Sequence, residues 1–192
     1  MEVIDSKRIQ KKNKLSGVLN HEILYHMVAY AEAINRNNYL PAAIDNITLS
    51  IDNELIFNNN YYPCNREELR RTHCITKSVV SLLLGIALEE GWLNDLESSI
   101  FDYLPLSKGV TDKEEKKKIT VKHLLTNTSG IAGTCPVDEL PGNPLEAILN
   151  QKKLNDPGIQ FDYSNGSAHL IAMILSNCVN RNLALFAEEK LF

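Results

Sequence analysis

Between Ile75 and Leu88 the chain reads ITKSVVSLLLGIAL, and its apolar residues Val79, Val80, Leu82, Leu83, Leu84, Ile86, Ala87 and Leu88 fall on every side of a helix. A helix that apolar all round has to be buried. With 14 residues it is also too short to cross a bilayer, which asks for about 20. It is therefore expected to run through the middle of a protein core, covered on all flanks, and Gly91 ends it. Two residues at its N-terminal end, Cys74 and Lys77, fit neither the apolar pattern nor one another's usual surroundings.

The rest of the chain is long enough to supply that cover. Its 192 residues are 44% hydrophobic and 23% charged, the balance of an ordinary globular domain with one sizeable core. A formal net charge of −4 gives no electrostatic reason to expect nucleic acid or an anionic membrane surface as a partner. The four cysteines, Cys64, Cys74, Cys135 and Cys178, show no C-x-x-C or Cys/His spacing, so neither a metal site nor a cofactor is expected from them. Free thiols, a charged N-terminus and the lack of any run of about 18 apolar residues point to a cytoplasmic protein with no membrane span.

Periodicity divides the chain into a polar arm over residues 1–14, a helix over 15–36, a β-hairpin over 44–58 and a helical region over 72–192. In the first helix Leu19, Ile23, Met27, Tyr30 and Ile34 are spaced to form the inward stripe. The hairpin turns at Asp52-Asn53. In TVKHLLTNTSGI, Thr120 is placed to cap a short helix and Gly130 to end it, while KEEKKK over 113–118 reads as a solvated loop. The stretches LPGNP and NDPG mark turns. After them, FDYSNGSAHLIAMILSNCVNRN carries a helix with Leu170, Ile171, Ile174, Leu175 and Val179 inward, and LALFAEEKLF begins another. The fold class is α+β.

Cys74 and Lys77 are three residues apart, which puts them on one helix face about a turn from each other. If the helix begins near Thr72 or His73, its N-terminal amides and the lysine ammonium both favour a thiolate, and Cys74 becomes a reactive nucleophile. The alternative is a small buried cysteine beside a lysine that reaches out to solvent. Spacing alone leaves both open.

Three further segments stand in order along the chain: IFDYLP, ITVKHLLTNTSGI and PGIQFDYSNGSAHLIAMIL. Together with CITKSVVSLLLGIALEEG, and over residues 44–192, they resemble the serine β-lactamase and penicillin-binding-protein superfamily, especially its class C-like serine hydrolases. Those proteins open a buried helix with S-x-x-K and carry a second motif, Y-x-N, matched here by Tyr163-Ser164-Asn165. The resemblance makes Cys74 the position of the acyl-forming nucleophile, Lys77 the adjacent base or proton shuttle, Tyr163 a second proton-handling group and Asn165 a holder of substrate and lysine. It implies cleavage of an amide or ester bond in a small molecule through an acyl-enzyme, without a cofactor.

The chain departs from that family at two places. Cysteine stands where the family has serine, and no K-T-G or H-x-G triplet follows Asn165. The family's sheet combines two N-terminal strands with later C-terminal ones, and only the first pair has a counterpart in these residues. The expectation is thus a partial β-lactamase/transpeptidase-like domain with impaired catalysis, prone to self-association or to pairing with a complementing C-terminal segment. A binding or sensor protein that keeps the cleft is the alternative, and a helical interaction domain with a structural Cys74 is a third reading.

Overall fold

The computed structural model describes residues 21–36, 44–61, 69, 71–133 and 142–192. They fall into two compact units that divide between Arg71 and Thr72. The expected arm, Leu19, Cys64 and Cys135 lie outside the described residues.

The first unit holds helix α1 (His21–Arg36) and strands β1 (Asn46–Ile51) and β2 (Glu54–Asn60), paired antiparallel. Asp52 and Asn53 both take positive φ, 51° and 60°, the backbone that a two-residue hairpin needs and that Asp and Asn tolerate. The ladder runs from Ile51 opposite Glu54 to Asn46 opposite Asn60, with an irregularity between Leu49 and Ser50. It extends two residues past the expected end, where the Asn46 side-chain amide donates to Asn58 Oδ1 at 2.7 Å and Asn60 Oδ1 at 2.6 Å. Asn35 closes the unit by exchanging two hydrogen bonds with the Ile44 backbone, at 2.7 and 2.8 Å.

The inward face of α1 is not the expected one. Leu24 and Val28 pack on Phe57, with Met27, Ile47 and Leu49 beside them, and Ala31 is fully buried. Ile23 is 66% and Tyr30 69% exposed. The helix carries apolar residues on two adjoining stripes, and contact with the hairpin, rather than spacing along the helix, selects the one that is covered.

The second unit is helical around one core. Helix α2 (Ile75–Glu89) leads through a short 3-10 turn (Ile100–Asp102) to α3 (Lys113–Lys116), α4 (Val121–Leu125), α5 (Pro144–Leu149), α6 (Asn165–Val179) and α7 (Leu183–Lys190). Helix α6 packs against α2, α4 and α7, and its expected inward residues Leu170, Ile171, Ile174, Leu175 and Val179 are all buried. The core also takes Leu83, Leu84 and Ala87 from α2, Ile100, Leu124 from α4, Leu149 from α5 and Phe186 from α7.

Helix α2 departs from the expectation of burial all round. Val80, Leu83, Leu84 and Ala87 are buried, whereas Ile75 is 66% and Leu82 56% exposed, and a Cβ added at Gly85 would meet nothing within 4 Å. Within this unit α6 and α7 cover one side of the helix, and the stripe through Ile75, Leu82 and Gly85 stays open among the described residues.

Three local readings are also corrected. The lysine-rich stretch forms the single exposed turn α3 after Asp112, instead of a loop. LPGNP does not only turn: the Asn143 side chain accepts from Leu145 N–H, Pro144 takes the first position, and α5 follows. Thr120 caps α4 as expected, in a capping box with His123, but the helix ends near Thr126 instead of Gly130 because Asn127 turns left-handed at φ 54°. Among the described residues no single helix is long and apolar enough to cross a membrane.

Candidate active site

Cys74 is the residue immediately before α2, and Lys77 lies in the helix's first turn, with its amide donating to the Cys74 carbonyl at 3.1 Å. The helix therefore starts two or three residues later than expected. His73, at φ 45°, makes the tight entry that leaves Cys74 exposed. The amides of Ile75 and Thr76 donate to the carbonyls of Thr72 and His73 at 3.0 and 3.1 Å. Those donors are already engaged with backbone, so they are not available to the sulfur.

Tyr163 comes from the far end of the unit, in the irregular segment just before α6. Ser164 caps that helix, its hydroxyl accepting from Ser167 N–H at 3.1 Å, and its extended backbone projects the preceding residue out of the helix. Asn165 is the first residue of α6 and half-buried.

Folding brings Cys74, Lys77 and Tyr163 into one cleft of about 590 Å³. Its walls include Leu82, Leu124 and Ile171, together with Asn127, a residue that sequence reasoning had not singled out. Asn165 is not among the residues lining this cleft. The Lys77 ammonium stands over the Tyr163 ring, 5.2 Å from its centroid, close enough for a cation–π contact. The Cys74 thiol is held below its ordinary range, first by a hydrogen bond from the Tyr163 hydroxyl, then by the charge and a hydrogen bond of Lys77. Desolvation acts the other way without prevailing. In contrast, burial pushes the Cys178 thiol up. Among the described residues no group of His, Cys, Asp or Glu side chains is arranged to hold a metal ion.

Cys74 thus heads a core helix, Lys77 stands one turn on, and Tyr163 is delivered to the same cleft by the entry to a second helix. The Beta-lactamase family model matches residues 46–192, and the chain belongs to that family.

Beta-lactamase-like protein 4 of Dictyostelium discoideum is 29% identical over 133 residues, which span 67% of this chain and 20% of that protein. Protein flp of Staphylococcus aureus strain MW2 is 26% identical over 121 residues, 59% of this chain and 24% of that protein. The chain thus spans about a fifth to a quarter of the length of these curated relatives. Among solved structures, a class C beta lactamase superposes with a TM-score of 0.69 at 20% identity, covering 88% of this chain and 48% of the other. A penicillin-binding protein homologue from Pyrococcus abyssi gives 0.68 at 20% identity, covering 90% and 42%. The fold is accordingly β-lactamase/transpeptidase-like, mostly helical here with a two-stranded antiparallel sheet.

Proposed function

We propose that the chain is a β-lactamase-type acyl-transferring hydrolase that attacks an amide or ester carbonyl in a small molecule with the Cys74 thiolate. The observation that carries this reading is the convergence of Cys74, Lys77 and Tyr163 in one cleft, with the Lys77 ammonium 5.2 Å from the Tyr163 ring centroid. A serine at this position would need a base before it could attack. Here Tyr163 and Lys77 hold the Cys74 thiol below its ordinary range, which enlarges the thiolate fraction that adds to the carbonyl carbon. Collapse of the tetrahedral adduct leaves a thioester on Cys74, and the departing amine or alkoxide takes a proton from the Tyr163 hydroxyl or the Lys77 ammonium. The group that gave the proton then removes one from water as the water attacks the thioester, which regenerates the thiolate.

The cysteine at the nucleophile position favours a second reading, in which acyl groups are captured and released slowly or not at all. Mixing the chain with p-nitrophenyl acetate or nitrocefin separates the readings. The expected result is a burst of product with one acyl group on the Cys74 peptide by mass spectrometry, slow but continuing release after it, and neither burst nor adduct in Cys74→Ala. Sustained turnover favours the hydrolase, a burst alone favours the capture protein, and no adduct at all rejects both.

A further inference from the structure

Tyr163 belongs to no helix or strand, so the direction of its hydroxyl depends on what holds the chain on either side of it. One residue holds both sides. Asp162 N–H donates to the Asn127 carbonyl at 2.8 Å, and Ser164 N–H donates to Asn127 Oδ1 at 3.1 Å. The residue between those two donors is Tyr163. A third bond, from Gly133 N–H to Asp162 Oδ2 at 2.5 Å, steadies the same segment, and the fit is close: a Cβ at Gly133 would lie 2.4 Å from the Tyr163 carbonyl oxygen.

Asn127 can act in this way because of its own backbone. It follows the end of α4 with φ 54°, a conformation that Asn and Gly adopt more readily than other residues. Glycine would keep the carbonyl acceptor and lose Oδ1. Aspartate would keep both acceptors but bring a second negative charge into a cleft meant to hold a thiolate. A neutral side-chain acceptor on left-handed backbone is what asparagine supplies. We infer that Asn127 is a positioning residue, which clasps the backbone on both sides of Tyr163 and so aims the tyrosine hydroxyl at Cys74. Its role is exerted through Tyr163, and the inference rests on the Cys74–Tyr163 pairing proposed above. Among the described residues, the charged and titratable groups acting on the Cys74 sulfur are Lys77 from α2 and Tyr163 from the segment before α6.

The test reads the sulfur, not the fold. The rate of Cys74 alkylation by iodoacetamide, followed by mass spectrometry across a pH series, gives the midpoint for thiolate formation in the wild type, Tyr163→Phe, Asn127→Gly and the double variant. Losing the tyrosine's hydrogen bond raises the thiol pKa, so the midpoint moves up and the rate at neutral pH falls. Asn127→Gly is expected to move the midpoint up as Tyr163→Phe does, and to add nothing once Tyr163 is already Phe. If Asn127→Gly lowers the melting temperature but leaves the midpoint where it was, the residue is merely structural and the inference fails. It fails equally if the shift persists in the Tyr163→Phe background. A Tyr163→Phe variant with an unmoved midpoint instead overturns the underlying pairing. Should the glycine variant not fold, Asn127→Ser, whose hydroxyl is too short to replace Oδ1, is measured in its place with the same outcomes.

Discussion

A thiol at the entry to a 15-residue helix would ordinarily draw on free amides, but the first N–H groups of α2 are bonded to the carbonyls of Thr72, His73 and Cys74. The two side chains, Tyr163 and Lys77, therefore account for the lowered Cys74 pKa. Cys178 has neither neighbour and is half-buried, which disfavours its thiolate. Cys74 is expected to react first of the four cysteines under limiting iodoacetamide in the folded protein, and faster labelling of any other would contradict the site. Lys77→Met removes a positive charge beside the sulfur, which raises the thiol pKa, shrinks the thiolate fraction below that pKa and slows labelling near neutral pH. An unchanged pH profile in Lys77→Met would break the proposed pairing. The spacing of Cys74 and Lys77 was legible in the sequence because it spans one helical turn. The clasp by Asn127 was not, since an Asn in TNTSG reads as any turn residue until the chain around Tyr163 is seen to fold onto it.

Among the elements, α2 is divided sharply between a covered and an open side. Leu84 is 1% exposed in the shared core with α6, whereas Leu82, two residues earlier, is 56% exposed. Leu84→Ala should cost about 2–5 kcal/mol, the transfer term plus the cavity left in a close-packed interior. Leu82→Ala should change stability by no more than about 0.5 kcal/mol, as for exposed sites away from special features. Urea denaturation of both variants measures the difference, and equal losses would mean that the stripe through Leu82 is covered in solution. Hydrophobic periodicity correctly placed α6 and its buried face. In α1 it marked a different stripe from the buried one and in α2 too many residues as inward, because apolar spacing states which residues can be buried and a packing partner determines which are. Helix α5 was missed for a different reason. Its Asn-Pro start was read only as a turn, although the same two residues also cap and open a helix.

At the scale of the molecule, the second unit leaves Ile75 and Leu82 of α2 open together with Ile159 at 74% and Phe161 at 63% exposure. Large apolar side chains standing in water favour association. The 192-residue chain is expected to elute from size exclusion with light scattering as more than a monomer, and to bind a hydrophobic dye strongly. A compact monomer with one sharp thermal transition would show that the helices close the core unaided. The sequence by itself determined what depends on neighbours a few residues apart: the turn at Asp52-Asn53, the Thr120 cap, the buried face of α6 and the single turn between Cys74 and Lys77. Tertiary structure decided which stripe of α1 meets Phe57, how much of α2 is covered, and that Tyr163 reaches Cys74 under the hold of Asn127. Those outcomes rest on contacts between residues far apart in the chain, whose energies exist only once the backbone has brought them together.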